Sequence, residues 1–123
     1  MKVYRLDEFR KLPEGTLFCE CERWVFGTLH VKGETWERDF LLRDLQSIDA
    51  EDSGEWGRRL DEMLESGASY PINGDYGRDG SFNENALFLV YEREDLLELR
   101  RTIDEALEGS GRNLADATKK DTP

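Results

Sequence analysis

Cys19, Cys21 and His30, the only histidine, lie close together in the chain and are the obvious candidates for metal chemistry. A structural zinc site takes four ligands and usually shows paired C-x2-C spacing. Here a single C-x-C and one histidine fall short of that, so the three read as ordinary core or surface groups. A disulfide between Cys19 and Cys21 would strain a backbone with only one residue between them, so both are expected as free thiols in a reducing cytosol. The stretch Asp75-Tyr76-Gly77-Arg78-Asp79-Gly80-Ser81 has the opening of a calcium-binding loop. Its third position is Gly77, which offers no side-chain ligand, and its twelfth is Ala86, where a bidentate glutamate belongs. It reads as a loop supplying turns, and no metal or cofactor is expected. There is no nucleophile elbow and no P-loop. Carboxylate pairs such as Glu51/Asp52, Asp61/Glu62 and Glu94/Asp95 are expected by chance among 28 acidic residues. No residue stands out as catalytic, and the chain is read as a non-enzyme.

The elements that would carry these residues follow from periodicity and punctuation. Lys2–Arg5 reads as a strand. Leu6, Phe9 and Leu12 are spaced by three on one face of a short helix that Pro13 ends. Thr16–Glu22 alternates as a strand, with Leu17, Cys19 and Cys21 on one side and Phe18, Glu20 and Glu22 on the other. Trp24–Lys32 is a second strand run, with Gly27 marking a bulge or a close backbone approach. Lys32-Gly33-Glu34 reads as a turn and Trp36–Leu42 as the next strand. Asp52 and Glu55 have capping-box spacing at the start of a helix. In that helix Trp56, Leu60, Met63 and Leu64 form an apolar stripe, and Gly67 ends it. The Gly-rich segment 73–80 reads as loop and Ala86–Tyr91 as a buried strand. Arg93–Glu108 reads as a helix with Leu96, Leu99, Ile103, Ala106 and Leu107 on its inner face and Gly109 as its cap. The predicted fold is α+β: a mainly antiparallel twisted sheet of about five strands, with two longer helices packed on it and one short N-terminal helix. Residues 1–109 form a single domain, and 110–123 a polar, disordered tail.

No stretch approaches the roughly 20 apolar residues of a membrane span, and charges occupy the N-terminal positions where a signal peptide is apolar. The chain is therefore expected in the cytoplasm. Its net charge of −11 repels nucleic acid and anionic membranes and attracts basic surfaces. Glu34–Glu65 holds eleven acids against four bases, whereas the tail from Ser110 is slightly basic. Solubility alone accounts for many such charges. Alternatively, spaced carboxylates imitate a phosphate backbone and dock on a groove built for nucleic acid. Glu51, Asp52, Glu55, Asp61, Glu62 and Glu65 are the candidate partner-binding residues, because they straddle the start and exposed side of one helix. Trp24, Phe26, Trp36 and Trp56 lie in the same acidic half. Core packing is their default role, with one or two as candidate exposed anchors, since Trp is enriched in binding hot spots.

Leu6-Asp7-Glu8-Phe9 through Leu12-Pro13-Glu14-Gly15-Thr16, then Phe26-Gly27-x-Leu29-x-x-Lys32-Gly33, resembles small uncharacterised proteins carried by bacteriophages and prophages. So do Ser47-Ile48-Asp49, Asp52-Ser53-Gly54-Glu55, Arg78-Asp79-Gly80 and Tyr91-Glu92-Arg93-Glu94-Asp95. The similarity covers about residues 1–108, and none of these motifs is catalytic. Small acidic phage accessory proteins include many inhibitors of host defence, anti-CRISPR proteins among them. The resemblance implies an inhibitor in the host bacterial cytoplasm, bound to a host protein with a basic surface, such as a CRISPR–Cas component, and not to nucleic acid directly. An immunity protein or antitoxin that caps a specific toxin is the alternative. Gene neighbourhood separates the two, by a toxin gene alongside or phage genes on both sides.

Overall fold

The computed structural model describes residues 1–23, 25–80 and 83–110. Trp24 and the segment 111–123, which holds nearly all of the expected tail, lie outside the described residues. The fold is α+β, with an antiparallel sheet, two longer helices and one short one. By its contacts the chain divides into a unit spanning Lys2–Val90, which holds the whole sheet, and a helical unit that begins at Tyr91.

In the first unit the strands are β1 (Lys2–Arg5), β2 (Leu17–Glu22), β3 (Val25–Phe26), β4 (His30–Trp36), β5 (Asp39–Asp44), β6 (Gly77–Arg78) and β7 (Leu87–Val90). The short helix α1 spans Leu6–Phe9 and the longer α2 spans Ser53–Ser66. The sheet order is β1-β7-β2-β4-β5-β6, with β3 pairing β2, and every pairing is antiparallel. Among the described residues the sheet has seven strands against the five or so expected, the additional two being the two-residue β3 and β6. The run predicted at Trp24–Lys32 divides at Gly27 into β3 and β4, and β6 lies inside the segment read as loop.

The core follows from the alternation of β2. Phe18 pairs with Val90 on β7 and His30 on β4, so these residues share one sheet face. The α1 helix lies over that face and inserts Phe9, which has no exposed surface. Its ring stacks on Phe88 at 4.1 Å and meets Phe18 and Phe40 edge-on at 4.6 and 5.1 Å. Leu6 is buried beside Phe9 and Leu12 packs at the margin, as the spacing by three predicts. Cys19 and Cys21 are buried on the opposite face, paired with Leu89 and Leu87.

Gly27 fulfils the close approach expected of it. Its N–H donates to the Glu20 carbonyl at 2.7 Å, and a Cβ there would lie 2.9 Å from that oxygen. The expected turn at Lys32-Gly33-Glu34 is overturned, because β4 runs through it, with a shift of register against β5 between Lys32 and Thr35. Gly33 serves packing, since a Cβ would sit 2.9 Å from both Leu41 Cβ and the Tyr76 ring. The chain reverses instead at Glu37–Arg38, with Glu37 at φ +50°, so the predicted strand Trp36–Leu42 becomes the end of β4, a turn and most of β5.

Lys32 is buried on the core face with 1% exposure. Its Nζ donates to Thr35 Oγ1 at 2.6 Å and to the Gly33 carbonyl at 3.2 Å, and Thr35 Oγ1 donates to the Arg10 carbonyl at 2.9 Å. Burial pushes the Lys32 ammonium below its ordinary pKa. Asp39, also buried, accepts from the N–H groups of Phe40 (2.8 Å) and Gly80 (3.1 Å) and from Arg78 Nε (2.8 Å). Burial pushes its carboxyl up, but the hydrogen bonds from Gly80, Arg78 and Phe40 outweigh that and hold its pKa below the ordinary value. This buried carboxylate ties β6 and the segment after it to the start of β5.

In the second unit, α3 spans Arg93–Glu105 and starts with a reciprocal capping box between Glu92 and Asp95. The helix does not end at Gly109 as predicted, because a π-helical turn over Ala106–Ser110 carries through it. No residue of α2 or α3 is fully buried, and on the expected inner face of α3 Leu99 is half-buried. Among the described residues no helix is long and apolar enough to cross a membrane.

Candidate functional site: the α2 arm

The α2 helix sits on an excursion between β5 and β6. Its two flanking segments are fastened to each other by Asp49 N–H to the Pro71 carbonyl (2.9 Å), Asn73 N–H to the Ser47 carbonyl (2.8 Å) and an antiparallel bridge between Ile48 and Ile72. Asp52 caps the helix through its carboxylate, which accepts from Glu55 N–H at 2.7 Å. Gly67 ends it in the left-handed conformation at φ +72°, which costs a glycine little. Both ends therefore form where the sequence places them. The capping box is only half made, however. The Glu55 carboxylate turns to Glu51 N–H (3.3 Å) and to Arg59 (2.9 Å).

The helix is fastened to its flanks mainly by its polar side. Arg59 donates to the Asp49 carbonyl, pairs with Glu55 and lies over the Tyr70 ring at 4.7 Å. The Tyr70 hydroxyl donates to Glu62, and that carboxylate raises the Tyr70 pKa. Trp56 Nε1 donates to Ser47 Oγ at 2.7 Å, which fixes the indole at the rim.

The six nominated carboxylates therefore divide into two groups. Asp52 is committed to the cap. Glu55 and Glu62 are tied to Arg58, Arg59 and Tyr70. Among the described residues, Glu51, Asp61 and Glu65 are exposed and their carboxylates engage no partner. Arg58 and Arg59 were legible as partners of Glu55 and Glu62 from their spacing by three or four. Ser47, Asp49 and Tyr70 carried no such local signal.

The apolar stripe faces outward. Trp56 is 44% exposed, Leu60 36% and Leu64 85%, whereas Met63 is half-buried. Packing of this helix on the sheet, as predicted, would have covered the stripe. Beside Trp56 runs an open groove of about 380 Å³, whose lining includes Asp44, Ser47, Ile48, Asp52 and Asn73.

Other candidate chemistry is dispersed. His30 stacks on Phe18 on the core face, with Nδ1 2.9 Å from the Thr28 carbonyl, while Cys19 and Cys21 lie on the other face. Burial, and then the neighbouring Cys21, push the Cys19 thiol up, away from the reactive thiolate. Among the described residues no group of three or more His, Cys, Asp or Glu could hold a metal ion. The supposed calcium loop is occupied by β6, with Arg78 turned to Asp39. A cavity of about 730 Å³ beside α1 has a lining of mixed charge, including Asp7, Arg10, Arg38 and Glu84, and Arg10 is already paired with Asp7. Phe26 and Trp36 are exposed, at 62% and 46%, but stand apart from α2, and Trp36 is covered in part by Arg78.

Protein-family models, curated proteins and solved structures were compared with the chain, and none matches it.

Proposed function

We propose that this chain is a non-catalytic, phage-encoded inhibitor that binds a host defence protein one to one in the bacterial cytoplasm, in the manner of an anti-CRISPR protein. The acidic side of α2 would occupy a basic surface that otherwise holds nucleic acid. The observation that carries this reading is the division of the carboxylates. Both arginines of the helix are neutralised by internal acids, so Glu51, Asp61 and Glu65 present uncompensated negative charge to the surroundings. A partner bearing lysines and arginines would be steered to such a surface and held more weakly as salt rises.

The test is capture of the partner from host lysate by the wild-type chain, followed by binding of the purified partner to a Glu51→Lys/Asp61→Lys/Glu65→Lys variant. The expected result is loss of binding in the variant and inhibition that saturates at one equivalent. Inhibition well below one equivalent would indicate a catalyst and overturn the reading.

A further inference from the structure

The α2 arm shows its apolar residues to solvent and keeps much of its polar side for its own flanks. Arg59, Glu55 and Glu62 face Asp49 and Tyr70, while Trp56, Leu60 and Leu64 recur every fourth residue along the exposed side. A helix fastened in this way has its hydrophobic stripe available for another molecule. Asp61 and Glu65 are themselves four apart and border the stripe beside Leu64.

From this arrangement we infer that α2 is a docking surface for an amphipathic, basic segment of a partner protein, with Trp56, Leu60 and Leu64 as apolar anchors and Asp61 and Glu65 as the charged rim. This rests on the reading of α2 as the acidic binding surface, and adds that the contact is made by apolar burial as well as by charge. The partner is identified by complementarity: a row of apolar side chains to cover the stripe, with lysine or arginine beside it. A second copy of this chain fits poorly, because it would set Asp61 and Glu65 against the same acids and bring together two molecules of net charge −11. Nucleic acid is excluded by the same sign of charge. Trp56 suits the role of central anchor, since its Nε1 bond to Ser47 holds the ring in place before any partner arrives.

The probe is a synthetic peptide of about 18 residues built from leucine and lysine, with the leucines on one helical face. A scrambled peptide of the same composition serves as the control. Binding to the full chain is followed by NMR, through the indole N–H signal of Trp56 and the backbone amides of α2. The patterned peptide should saturate at one equivalent and shift the Trp56 indole signal. Leu64→Glu should weaken it about tenfold or more. Leu64 is 85% exposed, so this variant keeps the fold, and its unchanged amide spectrum outside α2 verifies that.

Equal binding of the scrambled peptide together with no effect of Leu64→Glu overturns the apolar docking and leaves the acidic surface standing. Binding of neither peptide, or binding untouched by Glu51→Lys/Asp61→Lys/Glu65→Lys, overturns both. Self-association of the free chain in sedimentation, abolished by Leu64→Glu, would assign the stripe to a second copy and overturn the inference.

Discussion

The indole Nε1 of Trp56 donates a 2.7 Å hydrogen bond to Ser47 Oγ, joining α2 to the segment before it while the ring stays 44% exposed. Ser47→Ala removes the acceptor. The expected cost is about 0.5–1.5 kcal/mol, typical of one hydrogen bond. The indole N–H signal should move, whereas the core amides should not. A thermal melt and one NMR spectrum check both statements.

Phe9 is the keystone of the core, touching Phe18, Phe40 and Phe88 at once. Phe9→Ala should cost about 3–5 kcal/mol, from lost transfer energy and the cavity left behind. That is a large share of the stability of about 5–15 kcal/mol ordinary for a domain. Urea unfolding should show a midpoint far below that of the wild type, or no folded baseline.

Asp39 holds Arg78 and Gly80 from a buried position. Asp39→Asn keeps the shape but removes the charge from the pair, and should cost about 2–3 kcal/mol. The pH dependence has a definite sign. The folded-state pKa lies below the unfolded value of about 3.9, so the stabilising contribution is complete above that value and disappears as pH falls through the folded pKa. Urea midpoints measured from neutral pH down into the acid range should converge for wild type and variant.

Lys32 gives the opposite case. Its folded-state pKa is lowered, so between that value and the unfolded value of about 10.4 the unfolded state holds more protons, and stability rises with pH. Lys32→Met keeps most of the buried stem and drops the ammonium, so it should leave stability at neutral pH unchanged or raise it by about 1 kcal/mol. Lys32→Ala should cost about 2–4 kcal/mol through lost packing. Melts taken up to alkaline pH should show the wild type gaining on Lys32→Met.

What the residues disclose about the fold is what local chemistry controls. Asp52 and Gly67 bound α2 correctly because a cap needs only its own few neighbours. Leu6, Phe9 and Leu12 marked α1 because spacing by three defines a face. The Glu37–Arg38 reversal was illegible, since neither residue is a turn former, and Gly33 was taken for a turn when it is there to admit Tyr76 and Leu41. Periodicity revealed the Trp56–Leu60–Leu64 stripe but not whether anything covers it. That depends on Asp49 and Tyr70, ten and eight residues from their partners on α2, holding its polar side instead. Of the six acids only Glu62 gains a partner in this way, through Tyr70; Asp52 and Glu55 are taken up by contacts within three or four residues.

In the proposed complex the free carboxylates of α2 make the partner contact. The deciding measurement is the affinity of the captured partner for wild type and for Glu51→Lys/Asp61→Lys/Glu65→Lys, each at low and high salt. Wild-type affinity should fall steeply with salt, and the variant should bind at least about tenfold more weakly at low salt. Equal affinities with no salt dependence would contradict that contact.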